Sequence, residues 1–317
     1  MSRLVQVLKP DEKRREHVES KLLVAAAFEL ARDLEISKLL VQADQLLDVR
    51  IVEKHRESEC VIWLSRSADL PISDESKDVV LCLPETPLSR MGQMNLGLLL
   101  AVLNGHVLLD DSLLFLSGVA GSERLDTLLI VNPRRDFPWF QDHDIQKENG
   151  LVATRELARI LEIALRLASE GREGAPIGTI FVLGEMEELS PYLRQLILNP
   201  FEGHPKRDRN IHDPELFETV REFAALDGAF VVSKRGVVES AGTYLAAPAK
   251  GKARLYAGLG ARHAAAAGIT AETDALAVVT SSSSGTVTVF RGGCAIFAFE
   301  KPPHPQAASR TIPAPAA

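Results

Sequence analysis

Three polar segments in the second half of the 317-residue chain could bind and activate a phosphorylated substrate. Residues 227–229 (Asp-Gly-Ala) place a carboxylate beside two small residues, which leave the backbone open to close approach of a ligand. Residues 258–263 (Gly-Leu-Gly-Ala-Arg-His) lead into four consecutive alanines, and residues 281–285 are four serines followed by a glycine. A carboxylate, a guanidinium group and clustered hydroxyls are groups that can activate a hydroxyl and stabilise phosphate charge.

The glycine segment predicts a phosphate-binding loop. Gly258 and Gly260 permit a tight turn, and the alanines after it favour a helix. A helix that begins there exposes free backbone N–H groups, which attract phosphate, and Arg262 adds planar donors. The segment is not the dinucleotide-binding fingerprint, because His263 stands where the third glycine would be.

Taken singly, each segment also has an ordinary structural interpretation. Asp-Gly is typical of the end of a helix, the glycine segment of a turn beside a solvated arginine, and the serines of a polar hairpin loop. The combination of the three segments and their order along the chain therefore carry more information than any one of them.

The combination resembles the diadenylate cyclase domain family over about residues 150–300. Asp-Gly-Ala is followed about 35 residues later by Arg-His and then by a serine loop. The resemblance also includes residues 241–245 (Ala-Gly-Thr-Tyr-Leu) and continues through 265–275. Residues 196–205 (Leu-Ile-Leu-Asn-Pro-Phe-Glu-Gly-His-Pro) look like the archaeal-type branch, whose N-terminal domain is similar to the C-terminal domain of pyruvate kinase.

The resemblance implies that the chain joins two ATP molecules into cyclic di-AMP and releases two pyrophosphates, with manganese or magnesium as divalent cofactor. It assigns catalytic roles to Asp227, Arg262 and His263. Asp227 matches the aspartate that lies by the ribose 3′-hydroxyl and the metal, and the other two match a phosphate-binding motif. The positions that match substrate-binding residues are Gly228, Ala229, Leu245, Gly258, Gly260, Ala261, Ser281 and Ser282.

Since each such domain holds one ATP, the resemblance also implies a homo-oligomer, at least a face-to-face dimer. Two positions depart from the family's usual motifs. Arg-His-Arg reads Arg-His-Ala at residues 262–264, and Ser282 replaces a glutamate that helps to organise the metal and phosphate site. Glu239 and Asp274 are candidates, by sequence position only, to supply a substitute carboxylate.

These departures leave three hypotheses open. The first is an active diadenylate cyclase. The second is a catalytically degenerate relative that binds ATP or a cyclic dinucleotide as a sensor, which Ser282 and Ala264 motivate. The third is a nucleotidyltransferase that uses a different nucleotide or makes a different product.

The elements that must position the three segments predict two α/β domains. Residues 1–140 combine helices at 18–34 and 91–103 with short apolar runs, which indicates a mainly parallel sheet. The predicted strands of this N-terminal domain lie at 39–41, 61–64, 79–81, 107–109 and 128–131. By analogy, this domain would regulate or oligomerise the protein; the alternative is a scaffold that only places the cyclase domains.

Residues 150–300 predict a second α/β domain with a mixed central sheet. A helix at 152–169 precedes a strand at 179–184, and a second helix runs from Asp213, its expected N-cap, to Leu226. The remaining predicted strands form a hairpin at 229–233 and 237–241 and then lie at 275–280, 286–291 and 294–299. Residues 301–317, rich in proline and alanine, predict a flexible tail.

The composition argues against several other classes of protein. A hydrophobic fraction of 46% with 25% charged residues is typical of a globular protein with a sizeable core, not of a disordered one. The net charge of −7 argues against a non-specific nucleic-acid binder. Polar and charged residues interrupt the longest apolar stretch, Leu96–Val119, so no membrane span is expected. The N-terminus lacks the apolar region of a signal peptide, so we expect a cytoplasmic protein.

The three cysteines, Cys60, Cys82 and Cys294, are too far apart in sequence for a zinc motif, and we expect reduced, buried thiols.

Overall fold

The structure is a computed structural model that describes residues 10–67, 69–72, 78–83, 88–119, 122–137, 154–172, 175–247 and 260–300. Gly258 and the predicted tail at 301–317 lie outside these residues. The described residues form two sheets, one in each half of the chain. The helices among them are all too short or too polar to span a membrane.

The N-terminal half contains a five-stranded sheet in the order β3-β2-β1-β4-β5. Its strands are β1 (Lys38–Gln42), β2 (Cys60–Ser65), β3 (Val79–Cys82), β4 (Leu113–Ser117) and β5 (Thr127–Val131). The first four strands are parallel and β5 is antiparallel, which confirms the predicted mainly parallel sheet. Buried side chains on both faces account for the continuous apolar runs.

Helices cover the two faces of this sheet. Helix α1 (Pro10–Asp33) packs Val24, Ala27 and Phe28 into the core on one face, beside the short helix α2 (Arg50–Glu53). Helix α3 (Arg90–Leu103) packs its leucines on the other face. A 3₁₀ turn (Ala43–Gln45) follows β1, and a short helix α4 (Pro133–Asp136) ends this half.

One predicted strand of this half is wrong. Residues 107–109 form part of the connection between α3 and β4, and the strand lies at Leu113–Ser117. Gly105, with φ +74°, reverses the chain after α3, and the Asp111 carboxylate accepts a hydrogen bond from the Leu108 N–H. Val107 and Leu109 are buried, so this apolar run fills the core from a turn. Cys82, expected in the core, is exposed at the end of β3, an edge strand of this sheet.

The C-terminal half contains a seven-stranded sheet in the order β12-β11-β10-β6-β8-β9-β7. Only the β6–β8 pair is parallel among its described pairs, so the predicted mixed sheet is confirmed. The strands are β6 (Thr179–Leu183), β7 (Leu193–Gln195), β8 (Ala229–Val232), β9 (Val238–Leu245), β10 (Leu276–Thr280), β11 (Val287–Arg291) and β12 (Cys294–Phe299).

Helices pack on both faces of this sheet. Helix α5 (Thr154–Ser169) covers one face together with α7 (Leu216–Phe223), and α8 (Ala261–Glu272) covers the other. A short helix α6 (Met186–Leu189) and 3₁₀ turns at Ser190–Tyr192 and Lys206–Arg209 lie in the connections. The α3 side of the N-terminal half and the α5 side of this sheet share one hydrophobic cluster, in which the rings of Phe137 and Phe297 lie 6.0 Å apart.

The helix predicted from Asp213 to Leu226 exists but is shorter. It begins at Leu216, because the Asp213 carboxylate accepts a hydrogen bond from the Glu215 N–H and holds the chain in a turn. It ends at Phe223, and further turns lead to the Asp-Gly-Ala segment. Asp213 is therefore not the N-cap of this helix.

Candidate active site

A cavity of about 670 Å³ opens where β6 and β8 begin and where β9 and β10 end. The N-terminus of α8 and the serine loop after β10 complete its wall. Every predicted site residue that the structure describes lines it: Asp227, Gly228, Ala229, Leu245, Gly260, Ala261, Arg262, His263, Ser281 and Ser282. The fold thus brings together three segments that are spread over residues 227–285 of the sequence.

Asp227 lies at the rim of the cavity with its side chain 95% exposed. The backbone after it is fixed by Gly228, whose φ is +112°. A Cβ atom at Gly228 would lie 2.5 Å from the carbonyl carbon of Gly242 on β9, so no larger residue fits there. Gly228 therefore fixes the backbone between Asp227 and β8, while the Asp227 carboxylate remains open to solvent.

Arg262, in the first turn of α8, points across the cavity towards Asp227. Its Nη2 atom lies 3.7 Å from Asp227 Oδ1, a partly exposed ion pair. Gly260 is the N-cap of α8 and has no side chain to occupy the first N–H groups of the helix. The helix N-terminus and Arg262 together give this wall of the cavity a positive potential.

Gly178, immediately before β6, is a site residue that the sequence interpretation missed. A Cβ atom there would lie 2.7 Å from Ser282 Cβ and 3.2 Å from Arg262 Nη1. Its lack of a side chain lets the serine loop and the arginine approach each other. The signal in the sequence, a glycine before a buried strand, is too common to single it out.

His263 is only 8% exposed and lies edge-on to Phe290, with ring centroids 6.0 Å apart. Burial, together with the neighbouring Arg262 charge, lowers the pKa of this imidazole below its usual value. The neutral form is therefore favoured, so His263 borders the cavity without adding a second full positive charge.

The serine loop is organised by its own hydroxyls. Ser281 Oγ lies 3.1 Å from Ser283 Oγ and accepts a hydrogen bond from the Ser284 N–H. The Ser281 N–H donates to the Thr286 carbonyl and closes the turn between β10 and β11. Ser282 is exposed on the side that faces Gly178 and Arg262.

The opposite wall is apolar and includes two residues that were not predicted as site residues. Both lie in segments that carry the family resemblance, which assigned neither of them a role: Tyr244 is 55% exposed and lines the cavity with Leu196, which is also exposed. Leu245, the predicted residue, also lines the cavity but is largely buried. An aromatic ring beside a leucine is a surface on which a planar base can stack.

The two candidates for a substitute carboxylate lie elsewhere, so that expectation is wrong. The Glu239 carboxylate accepts a 2.6 Å hydrogen bond from Arg209 outside the cavity lining. Asp274 precedes β10, and the cavity lies at the other end of that strand. Asp227 is the only carboxylate in the described lining, and the described residues contain no cluster of three or more His, Cys, Asp or Glu placed to hold a metal.

One carboxylate beside hydroxyl groups is compatible with a divalent cation that keeps waters and is bound mainly by substrate phosphates. Asp227, with Ser281 and Ser282 nearby, fits manganese or magnesium only in this manner. Such a cation would supply positive charge to the phosphates under attack.

Comparison with known proteins agrees with this geometry. Residues 166–295 match the family model of the DAC domain, described as "DisA bacterial checkpoint controller nucleotide-binding". A diadenylate cyclase of Methanocaldococcus jannaschii is 38% identical over 174 residues, which cover 55% of each chain. A diadenylate cyclase of Haloferax volcanii is 40% identical over 134 residues, 42% of this chain and 48% of the relative. Residues 166–295 are therefore similar to the diadenylate cyclase domain family.

The chain spans about half the length of the curated relatives that it matches. A solved structure of DacA from Staphylococcus aureus is 24% identical, with a TM-score of 0.33, and the match covers 46% of this chain and 86% of that one. The residues that match the family model include Asp227, Arg262 and the serine loop. The likeness of residues 1–140 to the pyruvate kinase C-terminal domain remains a prediction.

Proposed function

We propose that the chain condenses two ATP molecules into cyclic di-AMP and releases two pyrophosphates. The observation that carries the proposal is one cavity that joins an exposed carboxylate, an arginine at a helix N-terminus and a serine loop, opposite an apolar wall. Its volume of about 670 Å³ is that of a pocket for one small ligand. The names of the two curated relatives support the same reaction.

We propose that the nucleotide lies along the cavity with its phosphates at α8. Arg262, the free N–H groups after Gly260 and the hydroxyls of the serine loop are the donors on that wall. The adenine lies against Tyr244, Leu196 and Leu245 on the apolar wall. This orientation places the ribose near Asp227.

The reaction needs a base for the ribose 3′-hydroxyl, which is a weak nucleophile. The Asp227 carboxylate accepts the hydroxyl proton as the oxygen attacks the α-phosphorus of the other ATP. The O3′–P bond forms, the bond between the α-phosphorus and the bridging oxygen breaks, and pyrophosphate leaves with that oxygen. Arg262 and the loop donors stabilise charge on the phosphate under attack, and a second, equivalent attack closes the ring.

Two copies of the chain are needed for this chemistry. Because one cavity accommodates one nucleotide, the hydroxyl in one cavity must reach the α-phosphorus in the other. The exposure of Asp227 at the rim supports a face-to-face arrangement of two cavities. Asp227 and the phosphates would hold manganese or magnesium, which would supply positive charge to the phosphate under attack. Because ATP is abundant in the cytoplasm, we place the activity there.

The N-terminal half is proposed to regulate or oligomerise the enzyme, or to act as a scaffold. The hydrophobic cluster that it shares with α5 supports a fixed placement beside the cyclase domain. A sensor that binds ATP or cyclic di-AMP without turnover is the second candidate function. Ser282, in place of an acidic residue next to Arg262, favours it.

The proposal is tested with the purified full chain, ATP and manganese or magnesium, followed by chromatography and mass spectrometry of the nucleotides. We expect cyclic di-AMP and pyrophosphate in a ratio of about one to two, the stoichiometry of two in-line displacements. Saturable ATP binding without any product would instead establish the sensor. A different product, or turnover of GTP, would establish another nucleotidyltransferase.

A further inference from the structure

The cavity offers a metal ion very few ligands of its own. Asp227 is the only carboxylate in its described lining, and its other polar side chains are hydroxyls, Arg262 and a buried His263. Magnesium and manganese are held by carboxylate oxygens, waters and phosphates, and neutral hydroxyls are weak ligands for them. A single carboxylate is therefore a poor metal site without phosphate.

The one carboxylate also has a competing cation. Arg262 Nη2 lies 3.7 Å from Asp227 Oδ1, so the guanidinium is close enough to offset part of this charge. A divalent ion placed on Asp227 would be repelled by Arg262. Phosphate oxygens change this balance, because they bind the guanidinium and bring several negative charges into the cavity.

Among the described residues, no neighbouring acid compensates. Glu239 is paired with Arg209 outside the lining, and Asp274 lies at the opposite end of β10. Residues 248–259, which connect β9 to the residue before α8, contain no Asp, Glu, His or Cys in their sequence. They contain three basic residues, Lys250, Lys252 and Arg254.

We propose that this domain has no metal site until nucleotide binds, so that the divalent ion enters as the metal–nucleotide complex. The residue that determines this order of binding is Ser282. The inference rests on the proposed function, since it takes ATP as the ligand. Ser282 lies beside Gly178 and Arg262, where a carboxylate would add a metal ligand and neutralise the guanidinium. The serine leaves both tasks to the phosphates.

The test measures manganese binding to the full chain by enhancement of water-proton relaxation, which responds to manganese held on a slowly tumbling protein. The probes are manganese alone and manganese with 3′-deoxy-ATP, an analogue that lacks the attacking hydroxyl. The wild type should give no saturable enhancement with manganese alone and a saturable one with the analogue. Ser282→Glu should give a saturable enhancement with manganese alone.

Ser190→Glu is the matched control, because it adds the same charge at an exposed serine of the same half of the chain that lies outside the cavity lining. It should leave manganese binding in the absence of nucleotide unchanged. Saturable manganese binding by the nucleotide-free wild type would overturn the inference, as would equal gains in the two glutamate variants. Failure of the analogue to bind at all would contradict the proposed function. The titrations with manganese alone do not contain the analogue, so they test the metal inference independently of that result.

Discussion

Both halves of the chain place polar side chains at the end of a sheet, but the two groups differ in how they are satisfied. In the N-terminal half, Gln42 at the end of β1 donates to Gln93 on α3 and accepts from the Gly118 N–H. Asp44 accepts from the Ser65 hydroxyl and from Arg66. Each of these side chains is thus paired with a neighbouring protein group, although two buried oxygens at the same sheet end, Gln45 Oε1 and Ser117 Oγ, have no hydrogen-bond partner among the described residues.

In the C-terminal half, the corresponding polar groups face an open cavity. Asp227 is nearly fully exposed, and its ion pair with Arg262 is long. The two halves therefore differ in availability: Gln42 and Asp44 are engaged by protein groups, whereas Asp227 is open to a ligand in the cavity. Paired substitutions, one in each half, test this comparison by separating loss of stability from loss of function.

The largest difference is expected for the two aspartates. Asp227→Asn should reduce cyclic di-AMP formation by at least about 100-fold, because the amide cannot accept the hydroxyl proton. Its thermal unfolding should be unchanged, since the side chain is exposed. Asp44→Asn weakens bonds to Ser65 and Arg66 and should lower the free energy of unfolding by about 1–2 kcal/mol. Product chromatography measures cyclic di-AMP formation by both variants, and thermal unfolding measures their stability. Wild-type activity of Asp227→Asn would show that the Asp227 carboxylate does not accept the hydroxyl proton.

Arg262 and Arg66 should differ in the same way: substitution of Arg262 should weaken ATP binding, and substitution of Arg66 should not. Arg262→Ala should weaken ATP binding roughly 10- to 100-fold, because it removes a charge-assisted phosphate contact. Arg262→Lys should also be impaired, since lysine lacks the planar fork. Arg66→Ala, which loses a surface pair with Asp44, should bind ATP like the wild type. Calorimetric titration with ATP measures all three, and unaltered affinity in both Arg262 variants would rule out a phosphate contact.

Two glycines with tight surroundings provide a third pair. Gly178→Ala places a methyl group between Ser282 and Arg262 and should weaken ATP binding about tenfold, since the phosphate donors must move apart. Gly97→Ala on α3 places a methyl group 2.3 Å from Leu64 Cδ1 and should destabilise the fold by about 1–3 kcal/mol without changing affinity. Calorimetric titration with ATP and thermal unfolding of both variants measure these two effects. Equal loss of affinity in the two variants would mean that packing alone governs binding.

The smallest effect concerns two histidines whose pKa is lowered, His263 at the cavity and His106 in the N-terminal half. Burial is the main cause for each; Arg262 adds to it at His263 and Lys38 at His106. Each neutral imidazole therefore stabilises the fold above about pH 6.5, the unfolded pKa. This contribution is lost as the pH falls from there through the lowered folded pKa.

His263→Gln and His106→Gln should each flatten this acidic part of the stability profile, by less than about 1.4 kcal/mol per pH unit. Denaturant unfolding from pH 8 to 5 measures the profiles. ATP should reduce the slope that His263 contributes and leave that of His106 unchanged, because phosphate near Arg262 favours the protonated form. An ATP effect of equal size at both histidines would contradict this assignment.

Much of the fold could be predicted from the sequence because the strands are buried on both faces. Continuous apolar runs locate β1, β2 and β10 within one or two residues. The run at 107–109 has the same character but fills the core from a turn, a distinction that local pattern does not contain. Cys82 is exposed for a similar reason, since the sequence does not reveal that β3 is an edge strand.

The candidate site could be predicted in part. Asp227, Arg262 and Ser281 stand at junctions between elements, and their residue types match a phosphate-binding site. Gly178 and Tyr244 were not predicted as site residues, because only the folded structure brings Gly178 beside Ser282 and Arg262 and places Tyr244 in the cavity lining. The expectation for Glu239 failed because its partner, Arg209, comes from a separate connection.

The central claim is that each Asp227 activates the nucleotide in its own cavity for attack on the nucleotide across a pair of cavities. The most direct test is the product formed by protein in which wild-type and Asp227→Asn chains are co-expressed with different affinity tags and the mixed pair is purified. One active carboxylate permits one attack, so we expect a linear dinucleotide that retains one 5′-triphosphate to accumulate, with little cyclic di-AMP. Cyclic di-AMP made by the mixed pair without any linear product would contradict the claim, because a single Asp227 would then suffice for both attacks.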